Sequence, residues 1–147
     1  MLSVRLLETG FSPAPPLARL ARACPDSGGI ASYVGTVRSE KVLALELSHY
    51  APLTLTGMED LAEQARNRFG LDGAIVWHRI GRVKPGAPIV LAAAAARHRR
   101  EALDAVDYLM DHLKAASWLW KRERRADGWH WIEPRVDDHA ALARWTP

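Results

Sequence analysis

Apolar residues recur along this chain at strand spacing in some stretches and at helix spacing in others, and the switches between them mark out its elements. Ser3 to Leu7 alternates weakly and reads as a strand. Ser12 and the prolines at 13, 15 and 16 then introduce a helix from about Leu17 to Cys24, because proline's fixed φ suits a first helical turn. Gly28 and Gly29 break the chain. Ile30 to Val37 is β-branched and aromatic, Val42 to Tyr50 alternates, and the two are expected to pair through a turn at Ser39 to Lys41. Helix spacing returns from about Thr56 to Phe69, where Leu61, Ala65 and Phe69 share a face and Gly70 ends the run. Ala74 to Ile80 and Ala87 to about Ala95 read as strands joined by the turn Lys84-Pro85-Gly86, although the alanine run in the second suits a helix as well.

The best-defined helix runs from about Arg99 to Ala116, with Ala102, Val106, Leu109 and Leu113 on its inner face. Beyond it, Ser117 to Arg124 and Trp129 to Glu133 flank Ala126-Asp127-Gly128, which is a hairpin with tryptophan on both arms. A short helix near Asp138 to Trp145 closes the chain. Strands and helices interleave, but the hairpins favour antiparallel pairing over a doubly wound sheet. The expected fold class is therefore α+β: a mixed, largely antiparallel sheet with helices packed on it and a Trp-rich β-hairpin, in one domain over residues 1–147.

Composition narrows the function. With 48% hydrophobic and 25% charged residues in 147, the chain can bury a core. No apolar run approaches the roughly 20 residues of a membrane helix, and the stretch around Ile89 to Ala96 stops at Arg97-His98-Arg99-Arg100. Arg5 and Glu8 within the first apolar stretch argue against a signal peptide, so a cytoplasmic protein is expected. The single cysteine, Cys24, rules out an internal disulfide and reads as a small buried hydrophobe, so any sulfur chemistry needs an outside source of sulfur. His49, His78, His112, His130 and His139 form no pair at zinc-ligand spacing with an acidic partner, and neither metal nor organic cofactor is expected. A net charge of +3 suits an acidic ligand better than a long polyanion.

The position of that charge matters more than its sum. Arg97 to Arg100 lie where a strand passes into a helix, and cations at a helix N-terminus are unfavourable unless an anion offsets them, so the segment reads as a phosphate clamp. Lys114 and Lys121 are two of only four lysines among twenty basic residues, and they bracket the junction between helix and hairpin. Lysine suits proton transfer where arginine suits clamping. If a strand begins near Ser117, Leu119, Lys121 and Glu123 share one face, Trp118, Trp120 and Arg122 the other, and Lys121 projects towards the end of Lys114's helix. Arg38 and Arg135 stand at strand ends, where sheet proteins present ligand groups. His78 reads as a core residue, and the tryptophans around the hairpin read as packing.

Gly35-Thr36-Val37-Arg38, His49-Tyr50, His78-Arg79-Ile80-Gly81, Pro85-Gly86, Ala96-Arg97-His98-Arg99, Tyr108-Leu109-Met110-Asp111 with Lys114, and Trp120-Lys121-Arg122-Glu123 occur in that order. In series they resemble the molybdopterin synthase large-subunit family, from about Ile30 to Trp145. The resemblance implies a homodimer within a heterotetramer, each copy receiving the C-terminal Gly-Gly thiocarboxylate of a small ubiquitin-like sulfur-carrier subunit. It also implies cyclic pyranopterin monophosphate as substrate and two successive sulfur transfers to give the dithiolene of molybdopterin. On that pattern Lys114 and Lys121 are catalytic, Arg38, His98 and Arg99 bind phosphate, Arg135 adds to the anion pocket, and Met110 and Tyr33 line its wall. The chain departs from the family at Tyr33, commonly phenylalanine, in a shorter loop over Ser39 to Leu43 and in a longer stretch over Ala51 to Gly57. The competing reading is a non-catalytic basic module for RNA or single-stranded DNA, and a third is a relative that keeps the partner interface without activity. The focused charge argues against the former and the two lysines against the latter.

Overall fold

The computed structural model describes residues 1–146. In chain order the elements are β1 (Leu2–Leu7), α1 (Ala14–Ala23), β2 (Gly29–Thr36), β3 (Ala44–His49), α2 (Leu53–Phe69), β4 (Gly73–Arg79), β5 (Gly81–Val83), β6 (Pro88–Ala96), α3 (Arg99–Lys114), β7 (Leu119–Arg125), β8 (Gly128–Ile132) and α4 (Val136–Ala143). Strands β1-β4-β6-β2 form one sheet, parallel only between β1 and β4. Strands β5-β3-β7-β8 form a second, wholly antiparallel sheet. The α+β expectation stands, with two sheets where one was anticipated.

The alanine run settles as strand. Ala92 to Ala96 are buried on both faces between β4 and β2, and that pairing outweighs alanine's helical preference. On one face α1 sets Leu20 and Cys24 against Ile75, Trp77 and Leu91; on the other α2 and α3 bring Met58, Leu61, Val106 and Leu109 over Val76 and Ala92. Cys24 is thus the buried hydrophobe it was read to be.

The expected pairing of β2 with β3 does not occur. A register shift between Gly35 and Thr36 turns the chain out of the first sheet, and a side chain at Gly35 would collide with Val90 Cγ1. Val37 then bonds Ala87 O at 3.0 Å and joins Leu45, Leu47 and Val83 in the core of the second sheet. Residues 39–43 cross between sheets instead of turning a hairpin.

The hairpin is where it was expected, with Gly128 at φ 120 beyond the turn. Trp118 lies just before β7 and packs into the main core against Gly57. Helix α2 begins three residues earlier than its spacing suggested, so most of the stretch read as a longer loop is its first turn, where Thr54 Oγ1 donates to Trp118 O at 2.6 Å.

His78-Arg79-Ile80-Gly81 forms the corner between the sheets. Gly81, at φ +80, lets the chain leave β4 for β5. The buried Arg79 guanidinium donates to Leu7 O (3.2 Å), Glu8 O (3.3 Å) and Arg82 O (3.0 Å), tying the end of β1 to that corner. No helix among the described residues is long and apolar enough to cross a membrane.

Candidate active site

The two lysines converge as the hairpin reading required. Helix α3 ends at Lys114. Lys121 sits on β7 opposite Leu47 and Ile132, on the inward face of the second sheet, while Arg122 points the other way to Glu46. Burial lowers the proton affinity of Lys121, and the charge of Lys114 lowers it further. Asp138 and Glu123 oppose that shift, and Arg38 adds to it. Arg38 is within reach because the irregularity at Gly35 and Thr36 carries the chain from the first sheet to the second.

A groove of about 780 Å³ lies between β2 and α3. Tyr33, Met110, Lys114 and Asp138 line one part of it, and Arg99 lines it too. Lys121, Arg38, His98 and Arg135 are not among its lining residues. Arg135 is exposed at the N-cap of α4, where its backbone N–H donates to Asp138 Oδ2 at 2.8 Å.

The structure divides the predicted phosphate clamp from the lysines. His98 is the N-cap of α3, in extended conformation and without a side-chain cap, and Arg97 to Arg100 are all exposed. From Arg99 to Lys114 the helix rises about 22 Å. Within one chain, His98 and Arg99 cannot contact a small molecule held between Lys114 and Lys121. Gly28 and Gly29 press against Arg97 and Arg99, so β2 starts beside the clamp and ends near the lysines.

His78 is the satisfied core residue it was read to be. Its Nδ1 lies 2.7 Å from Arg79 O, and since a carbonyl only accepts, Nδ1 carries the proton. Burial pushes its pKa down to about 4, the bond to Arg79 opposing and the charges of Lys121 and Lys114 adding to the fall. An unfolded chain takes that proton near 6.5, so the share of stability due to His78 is complete above that pH and is lost as pH falls towards 4. The loss amounts to up to about 3 kcal/mol. Urea unfolding at pH 7 and pH 4.5 checks this: His78→Phe should lack that share of the acid loss, and an acid slope equal to native would contradict it.

Packing explains only half of the tryptophans. Trp77, Trp118 and Trp145 lie in or against the cores. Trp120 and Trp131 are 43% and 64% exposed, and Trp129 stacks under Arg122, whose guanidinium carbon is 4.4 Å from the ring centroid. Sequence reasoning also passed over Asp138, whose signal was an acid in the first turn of the last helix. Among the described residues no group of His, Cys, Asp or Glu could hold a metal ion.

Comparison with known proteins gives this arrangement relatives. Residues 7–116 match the family model described as MoaE protein. A molybdopterin synthase catalytic subunit of Ralstonia nicotianae is 38% identical over 99% of this chain and 85% of its own length. One of Rhizobium meliloti is 39% identical over 99% of this chain and 96% of its own. The solved structure of a molybdopterin biosynthesis MoaE protein from Burkholderia ambifaria superposes with a TM-score of 0.86 at 37% identity, covering 100% of this chain and 99% of that one.

Proposed function

The chain belongs to the MoaE family, and on that premise we propose how its residues carry out sulfur transfer. It acts as the catalytic subunit of a molybdopterin synthase, a sulfurtransferase of molybdenum cofactor biosynthesis. Sulfur comes from the C-terminal Gly-Gly thiocarboxylate of a small ubiquitin-like subunit and goes to cyclic pyranopterin monophosphate, forming the dithiolene. The working assembly is a homodimer within a heterotetramer. A cytoplasmic location and a single domain over residues 1–147 belong to the same proposal.

The observation that carries the site assignment is the approach of Lys121 to Lys114 beside the groove. Lys114 moves a proton on the pterin side chain as the thiocarboxylate attacks. Lys121, half-buried, stabilises the anion that develops and the carboxylate of the tail. Tyr33 and Met110 form the apolar wall, Arg38 adds positive charge beside Lys121, and Arg135 is assigned to the same anion pocket. The relatives, molybdopterin synthase catalytic subunits, favour this reading over the nucleic-acid one, and on the outer face of the hairpin Arg122 is paired with Glu46 (2.8 Å).

We assign His98 and Arg99 to the site of a second copy. Strand β2 is an edge of its sheet, has neither charge nor proline, and leaves Ile30 and Tyr33 exposed, which is an edge that needs covering. A copy lying antiparallel on this face would bring the start of its α3 to the end of the first, closing the gap of about 22 Å. The test is conversion of the cyclic pterin by this chain with a thiocarboxylated small subunit. Lys114→Ala and Arg99→Ala should each be inactive as pure dimers, and mixing them should restore part of the turnover, since one site of each mixed dimer keeps both residues. A mixture as inactive as its parents would sink the two-chain site.

A further inference from the structure

The two lysines belong to different parts of the fold. Lys114 closes α3, which packs on the first sheet, and Lys121 is carried by β7 of the second. Residues 115–118 link them, so the seat of that link sets where one lysine stands relative to the other. The antiparallel ladder of β3 and β7 ends at the pair His49 and Leu119. It fixes Lys121 within the second sheet and leaves the carbonyl of Trp118 without a strand partner.

Thr54 supplies that partner. It is wholly buried in the first turn of α2, and its hydroxyl has one proton to give. Trp118 O, at 2.6 Å, takes it in preference to Tyr50 O at 3.3 Å, while Tyr50 N donates to the same hydroxyl oxygen at 2.8 Å. One side chain thus joins the end of β3, the start of α2 and the link between the lysines. Gly57 completes the seat. A glycine inside a helix is unfavourable, and the reason for this one is steric: a Cβ here would lie 2.5 Å from Trp118 Nε1 and 2.6 Å from Cε2. The indole occupies the space that the missing side chain leaves and packs against the main core.

We propose that Thr54 is a positioning residue for sulfur transfer: its hydroxyl, with the bare backbone of Gly57 beside it, seats Trp118 and so sets Lys121 against Lys114. The effect on rate rests on the sulfur-transfer reading, whereas the effect on the lysines does not. Thr54 acts through the chain, since Trp118 stands four residues beyond Lys114 and three before Lys121. A misplacement of about 1 Å can slow a reaction about 10²-fold, so a loosened link is felt in turnover while the fold survives.

The experiment compares the full chain with its variants, each supplied with the thiocarboxylated small subunit. Thr54→Val keeps the shape and removes the hydroxyl, and Thr54→Ser keeps the hydroxyl. Thr56→Val makes the same change two residues on, where the exposed hydroxyl bonds Pro52 O at 3.3 Å. Well below its Tm, Thr54→Val should lose about 10- to 100-fold in kcat, while KM for the pterin changes little. Thr54→Ser should recover most of the rate, and Thr56→Val should match the native protein. A purely structural role would lower Tm and leave kcat of the folded protein unchanged, and that result overturns the proposal. Gly57→Ala carries the test should Thr54→Val fail to fold: alanine favours α2 but displaces the indole, so kcat should fall, and native turnover there also overturns it. NMR of the lysine side chains reads the placement without activity, because Lys41, Lys84, Lys114 and Lys121 are the only lysines. In Thr54→Val the signals of Lys114, Lys121 or both should move and those of Lys41 and Lys84 should stay; Lys114 and Lys121 both unmoved overturns the proposal. If the native protein transfers no sulfur, the functional reading falls and these signals still decide the role of Thr54.

Discussion

Lys114→Ala should slow dithiolene formation by about 10²- to 10⁴-fold, the span expected when a positioned proton-transfer group is lost. Its fold should be nearly unaffected, because Lys114 is exposed at the last turn of α3. Binding of the small subunit should survive, since Lys121 remains to meet the tail. Lys114→Arg separates charge from chemistry. Arginine keeps the cation at the same helix end but holds its proton too tightly to exchange it, so this variant should stay slow. Single-turnover conversion with preloaded thiocarboxylate is the measurement. Native rates in either variant would remove Lys114 from the mechanism, and a fast Lys114→Arg alone would reduce its role to electrostatics.

Arg79→Met should produce the largest loss of stability. Its guanidinium serves three backbone carbonyls at the corner between the sheets. Leu7 O keeps a second donor, Ile80 N at 3.0 Å, but Glu8 O and Arg82 O are left with none from this side chain. Methionine refills much of the volume and leaves no stranded charge, so the cost is that of the unpaired carbonyls, about 2 to 5 kcal/mol. For a chain of this length that lowers Tm by about 10 °C. Calorimetry on both proteins decides it, and a change under about 2 °C would mean that water replaces the guanidinium at little cost.

Local pattern made much of this fold legible. Helix α3 and the hairpin stood out because apolar spacing and turn residues agreed, and Lys121 took the face that alternation assigned to it. The division into two sheets was not legible, because it depends on a one-residue irregularity at Gly35 and Thr36, where only glycine fits against Val90, more than fifty residues away. Pairing was therefore assigned to the nearest strand, β3, when the true partner was β6. The lysine pair could be found from residue type and position. The distance between that pair and His98-Arg99 could not, since a motif read in one dimension hides the length of the helix between its ends. Asp138 was missed for a related reason: it matters through neighbours supplied by other elements.

The irregularity at Gly35 also bears on how the protein comes to life. Arg38, Lys114, Lys121 and Asp138 sit on four segments, and they meet only when the second sheet has docked on the first. Such long-range closure is late in folding. A chain whose first sheet and helices have formed but whose hairpin still swings free has secondary structure and no chemistry, so competence arrives as an all-or-none event at the final docking step.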